Sequence, residues 1–272
     1  MHGDLFRKEF TIGKKIKRAR VYISGLGFYE LHVNGKKVGK RVLEPGWTDY
    51  KKRVLYSTYA VEKYLKEGEN AVGIMLGNGR YIKAYGYSLP KVIMQLNIEL
   101  VDGTRKSIVT DENWKTAQSP ITANSIYDGE TYDARIERPD WDTALYDDSD
   151  WDAAKIAEKP GGKLVSQASF PPVKVTRIMQ PIEITNPKPG VYVYDFGQNF
   201  TGWVRLSISG PRGTRVNLRY AELLHEDGML NTATNRGAKA TDTYILKGEG
   251  KEVYEPRFTY HGFRYVEVTG FH

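Results

Sequence analysis

A chain of 272 residues can hold two separately packed cores, and its complete lack of cysteine excludes a disulfide framework and any thiolate metal site or nucleophile. No run of about 18 apolar residues is present to cross a membrane as a helix. The formal charge of +7 does not gather into a polyanion-binding footprint: Lys14, Lys15, Lys17, Arg18 and Arg20 fit one solvated strand face, Lys51, Lys52 and Arg53 another, and neither comes with a nucleic-acid fold signature.

In chain order, the start Met1-His2-Gly3-Asp4 has no apolar signal region, which leaves a cytoplasmic protein, the favoured reading, or a chain already trimmed of a leader. Leu31 and Val33 lead into Asn34-Gly35 before Val38. Leu96, Ile98 and Leu100 lead into Asp102-Gly103 before Ile108. Alternating apolar positions broken by pairs that accept positive φ predict two antiparallel hairpins. Between them Val61, Tyr64 and Leu65, spaced i, i+3 and i+4 before Gly68, predict one or two helical turns. The apolar run Ala71 to Leu76 reads as a buried strand that delivers Gly77-Asn78-Gly79-Arg80-Tyr81 to a loop. Asp147, Asp148 and Asp150 are expected to form a turn whose carboxylates cap backbone N–H groups, with Trp151 anchored in the core.

Lys159-Pro160-Gly161-Gly162 and Phe170-Pro171-Pro172 bracket an aperiodic stretch, which places a linker at 159–174 between modules at 1–158 and 175–272. Alternation resumes at Val191 and Val193, continues through Leu206 and Ile208, Val216 and Leu218, and Tyr244 and Leu246, and closes in the aromatic run from Phe258 to Val268. Nineteen Tyr and nine Phe in short runs with Val, Ile and Thr favour strands. The fold class is therefore all-β: two antiparallel β-sandwich modules with few short helices.

Several segments together resemble the α-L-rhamnosidases of glycoside hydrolase family 78. They are Gly25-Leu26-Gly27-Phe28-Tyr29-Glu30-Leu31-His32-Val33-Asn34-Gly35, Leu43-Glu44-Pro45-Gly46-Trp47-Thr48-Asp49-Tyr50 and Tyr127-Asp128-Gly129-Glu130-Thr131-Tyr132-Asp133-Ala134-Arg135. Tyr194-Asp195-Phe196-Gly197-Gln198-Asn199-Phe200-Thr201-Gly202-Trp203, Thr241-Asp242-Thr243-Tyr244 and the closing Glu255 to Val268 complete the set, in the family's order along nearly the whole chain. The resemblance implies two jelly-roll-like sandwiches, the first similar to galactose-binding modules, standing ahead of an (α/α)6 barrel whose catalytic acids would lie beyond His272. Many relatives have Trp where Arg80 stands, followed by a longer glycine-rich loop, whereas here the chain continues Ile82-Lys83-Ala84-Tyr85-Gly86-Tyr87.

The expectation is a non-catalytic β-sandwich part of an α-L-rhamnosidase-like enzyme, inactive alone, that recognises a rhamnose-containing carbohydrate, supports the catalytic (α/α)6 domain of its parent, or both. The alternatives are a free-standing lectin-like rhamnose-binding protein and a protein-docking module. Neither a nucleic acid nor a membrane is an expected partner.

A pyranose needs an aromatic plate for its CH face and planar polar groups for its hydroxyls. Trp47, Tyr50, Asn78, Arg80, Tyr81, Tyr85 and Tyr87 supply those types in two loop-like stretches, against the competing reading that they cap the sandwich core. Second-module loop candidates are Asp195, Gln198, Asn199, Trp203 and Glu222. Asp128, Glu130 and Asp133 offer alternately spaced oxygens of the kind a calcium ion accepts, against a structural turn with an Asp133–Arg135 ion pair. Calcium is the one cofactor considered, and no nucleotide-binding glycine motif, nucleophile elbow or HExxH pair is present.

Overall fold

The computed structural model describes residues 3–271; Met1 and His2, which open the start considered above, and His272 lie outside the described residues. Strands β1 (Asp4–Ile12), β2 (Ile16–Leu26), β3 (Phe28–Val33), β4 (Lys36–Lys37), β5 (Arg53–Ala60), β6 (Gly68–Gly77), β7 (Lys91–Leu100), β8 (Arg105–Val109) and β9 (Lys115–Gln118) come first. They are followed by β10 (Ile121–Ser125), β11 (Gly129–Asp133), β12 (Asp152–Ala153) and β13 (Lys163–Ser166). The remainder are β14 (Glu183–Lys188), β15 (Val191–Gly202), β16 (Leu206–Ser209), β17 (Arg215–Ala221), β18 (Leu223–Leu224), β19 (Leu230–Asn231), β20 (Thr241–Ile245), β21 (Lys251–Tyr254) and β22 (His261–Thr269). Among the described residues the helical content is single 3-10 turns, so the one or two turns expected after Val61 reduce to Glu62–Tyr64.

The chain divides into two compact units. The first, Gly3–Ser119 with Arg138–Lys174, holds a six-stranded sheet ordered β12-β9-β1-β6-β3-β4 and a five-stranded sheet ordered β13-β5-β2-β7-β8. Alternation drives both. In β7 the residues Met94, Leu96, Ile98 and Leu100 point inward and Gln95 and Asn97 outward, because successive side chains of a strand face opposite sides. Leu31 and Val33 of β3, Val72, Ile74 and Leu76 of β6 and Ala19, Val21 and Ile23 of β2 complete that core with Trp114. Both expected hairpins form, β3–β4 around Asn34-Gly35 with φ of 49° and 78°, and β7–β8 around Asp102-Gly103.

The second unit holds a seven-stranded sheet ordered β10-β11-β20-β17-β22-β15-β14 and two small sheets, β16-β21 and β18-β19. Tyr220, Val216 and Leu218 of β17 and Phe263, Val266 and Val268 of β22 are buried in it.

The expected boundaries differ from the observed ones in two ways. Residues 120–137 leave the first unit, and β11 pairs in parallel with β20 through Thr131–Thr243, Tyr132–Tyr244 and Asp133–Ile245. The stretch read as a linker belongs to the first unit: β13 pairs in parallel with β5, and Gln167 is buried. Pro and Gly around it terminate strand pairing without releasing the segment from the sheet. The acidic turn forms as expected: Asp147 Oδ1 accepts from the Ser149 N–H and Trp151 is buried. Asp148 has a further duty, an ion pair with the fully buried Arg7.

Candidate carbohydrate-binding site

In the first unit the loop preceding β5 is fixed from below by Glu44. Its buried carboxylate accepts from Ser57 Oγ, from Tyr59 Oη at 2.9 Å and from Gln167 Nε2 at 2.9 Å. Gln167 in turn accepts from the Gly46 N–H at 2.8 Å. Trp47, the next residue, is 59% exposed, and the Arg80 guanidinium lies 4.5 Å from its ring centroid. Arg80 is brought there by a backbone crossing that only glycine permits: a Cβ on Gly79 would meet Gly27 backbone carbon at 2.9 Å. Beyond it, a 3-10 turn at Lys83–Tyr85, closed by Gly86 in the left-handed region, leaves Tyr85 40% exposed.

The other candidates in these stretches pack inward. Tyr50 and Tyr81 are buried with Leu26 and Val54, and Tyr87 is half-buried against them. Tyr81 and Tyr87 stack at 5.1 Å while Tyr50 meets both edge-on at 5.3 and 5.1 Å. Burial first, and the neighbouring tyrosines second, push the Tyr50 hydroxyl up to about 12. Asn78 is buried as well, and its carbonyl accepts from the Tyr81 N–H. The two stretches therefore separate into a core cap, Tyr50, Asn78, Tyr81 and Tyr87, and a surface group, Trp47, Arg80 and Tyr85.

Of the second-unit loop candidates, only Asn199 and Glu222 bond to each other. Asp195 takes a two-pronged ion pair from Arg264, at 2.8 and 2.7 Å, which holds its carboxyl below the usual range. Asn199 donates to Glu222, and Trp203 Nε1 donates to Glu255 at 3.0 Å. Gln198 is exposed on the same turn.

The three oxygen ligands considered for calcium are likewise separated. Asp128 is exposed and accepts from the Lys239 N–H; Asp133 is paired with Arg135 at 2.9 and 2.7 Å, the competing reading above. Glu130 is buried, accepting from the backbone N–H groups of Arg257 and Phe258 and from Tyr254 Oη. No group of three or more potential ligands gathers among the described residues. Glu130 and Asp133, three apart in β11, face opposite sides of the sheet, and Asp128 lies in the turn ahead of the strand.

Beside Glu130 sits a cluster the candidate set did not contain. Asp242 accepts from Tyr220 Oη at 2.7 Å and the Glu130 N–H at 2.9 Å, and lies 3.2 Å from His261 Nε2, whose ring stacks on Tyr220 at 4.0 Å. Burial, reinforced by the Asp242 charge, pushes the Glu130 carboxyl up to about 8. Its sequence signal was the pair of motifs around Glu130 and Asp242, 112 residues apart, which nothing local joins.

The fold defines a two-unit all-β protein whose sheets are arranged as β-sandwiches. The chain belongs to the bacterial α-L-rhamnosidase family: the α-L-rhamnosidase N-terminal domain matches residues 14–177, and the bacterial α-L-rhamnosidase concanavalin-like domain matches residues 185–272. An α-L-rhamnosidase of Streptomyces avermitilis is 45% identical over 277 residues, covering 99% of this chain and 27% of that protein. The solved α-L-rhamnosidase of Dictyoglomus thermophilum superposes with a TM-score of 0.98 at 56% identity, covering 99% of this chain and 31% of that one. The S. avermitilis enzyme complexed with L-rhamnose gives 0.94 at 44% identity, covering 100% and 27%. The chain thus spans 27–30% of the length of the curated relatives it matches, as the β-sandwich part of such a protein.

Proposed function

We propose that the first unit holds a rhamnose-containing saccharide on the Trp47–Arg80–Tyr85 surface, and that the second supports an (α/α)6 domain of the same parent protein that cleaves the glycosidic bond. The observation that carries the saccharide reading is Trp47. Of the five tryptophans, Trp114, Trp141 and Trp151 are buried and Trp203 is half-buried, while Trp47 stays 59% exposed above an anchored loop. An exposed indole on a fixed loop offers a flat apolar plate to sugar CH groups, and Arg80 beside it offers donors to hydroxyls.

Support of a helical domain is favoured by the apolar stretch entering β14, where Ile178, Ile182 and Ile184 are 73%, 71% and 55% exposed. Glycoside cleavage needs two carboxyl groups on either side of the bond, about 5 to 9.5 Å apart and open to substrate. Glu44, Glu130 and Asp133 are instead buried and engaged by fixed protein donors.

The test is an aryl-rhamnoside assay on the purified 272-residue chain together with calorimetric titration of L-rhamnose, with and without calcium. The expected result is no turnover, and binding heat that Trp47→Ala abolishes. Turnover lost on replacing a single carboxylate of this chain would overturn the non-catalytic reading, and L-rhamnose heat unchanged in Trp47→Ala would overturn the saccharide site.

A further inference from the structure

The outer face of the sheet β13-β5-β2-β7-β8 is graded along the strands. At one end the row Arg18, Glu99 and Arg105 is charged; one step on comes the mixed row Arg20, Asn97 and Ser107, and beyond that the face turns apolar and aromatic. There, Tyr22, Tyr56, Ile93, Val109 and Leu164, one from each strand, line a concavity of about 420 Å³. Tyr22 meets Tyr56 edge-on at 6.2 Å, and Ile93, Val109 and Leu164 are 53%, 44% and 52% exposed.

We infer that this groove is a second saccharide-binding surface of the first unit, one that takes a neutral oligosaccharide lying across the strands. The inference extends the proposed function and uses none of the Trp47 surface. None of the eleven lining residues is charged, in a chain of which 27% is Asp, Glu, Lys or Arg. An uncharged lining selects an uncharged ligand, because an ionic one would lose its hydration with no counter-charge to replace it. The apolar stripe runs over five strands, roughly 19 Å at 4.8 Å per strand gap, which matches an extended chain of rings better than one ring. Two planar amides along it are held in place: Gln95 Nε2 donates to Asn97 Oδ1 at 2.9 Å, and Ser107 Oγ donates to the same oxygen at 2.9 Å. Fixed amides next to aromatic and aliphatic plates suit a molecule with CH faces and hydroxyl edges.

The experiment titrates the 272-residue chain calorimetrically with L-rhamnose and with a neutral rhamno-tetrasaccharide, in the unaltered protein and in Tyr22→Ala, Gln95→Ala and Trp47→Ala. Light scattering is run alongside. Tyr22 and Gln95 sit at the surface, and thermal melts confirm that each variant folds. The expected result is tetrasaccharide binding roughly tenfold tighter than L-rhamnose in the unaltered protein, an increment lost in Tyr22→Ala and reduced in Gln95→Ala, with tetrasaccharide heat retained in Trp47→Ala. Tetrasaccharide heat lost only in Trp47→Ala overturns the groove and leaves the loop reading standing. A dimer that Tyr22→Ala dissolves, without sugar heat, assigns the face to a second copy of the chain and overturns the groove. No heat for either sugar in any form of the protein sinks both readings.

Discussion

Glu44 in the first unit and Glu130 in the second are both almost fully buried, yet they are satisfied by different means. Glu44 gathers side chains, Ser57, Tyr59 and Gln167, around a loop that ends in an exposed tryptophan. Glu130 gathers backbone N–H groups from the segment ahead of β22 and lies next to a second acid, Asp242. One arrangement uses its buried carboxyl group to hold a surface loop still. The other ties a distant hairpin into a sheet. The same residue type therefore marks a site scaffold in one unit and a fold anchor in the other, and only its partners tell which.

The strongest break in this comparison is Glu44→Ala. It strips four hydroxyl and amide groups, three of them buried, of their acceptor, including Tyr29 Oη at 3.4 Å, and is expected to cost the first unit about 3 kcal/mol or more in urea unfolding. Saccharide heat at Trp47 should fall with it.

Glu130→Gln sharpens the contrast through pH. A carboxyl raised from 4.5 to about 8 in the folded state binds its proton more tightly there than when unfolded. The stability it contributes is therefore fully present below about 4.5 and drains away as pH rises toward about 8. Thermal melts across that window should show the second unit losing several degrees in the unaltered chain and much less in Glu130→Gln.

A smaller effect is expected at the second-unit loop. Asp195→Asn removes a partly exposed ion pair with Arg264 and should cost under about 1 kcal/mol, because solvent screens such pairs. It should leave saccharide binding unchanged. The sign of its pH dependence is opposite to that of Glu130: a carboxyl held below its usual range stabilises above that range and loses the contribution as pH falls through its folded value.

Much of the fold was legible because it is local. Asn34, Gly35 and Gly103 fix their hairpins through positive φ, and the alternation in β7 declares which face is buried. What escaped was non-local. The hairpin β10–β11 reads as a continuation of the first module, and its place beside β20 depends on a pairing more than 100 residues away. Gln167 sits in a stretch whose glycines and prolines suggest a linker, and its role appears only where it meets Glu44 and Gly46. Within the candidate site, composition could not separate Trp47 from Tyr50 and Tyr81: all are aromatic loop residues, and depth below the surface is a tertiary quantity. The three acids considered for calcium lie apart for a similar reason, since spacing along a strand says nothing of which groups already have partners.

The most direct test sets the two tryptophans that are not buried against each other. Trp47 has an exposed ring on an anchored loop, and Trp203 is half-buried with its indole N–H committed to Glu255. Calorimetric titration of L-rhamnose into Trp47→Ala and Trp203→Ala should show heat lost in the first and retained in the second, with both variants folded. Heat retained in Trp47→Ala but lost in Trp203→Ala would contradict the account.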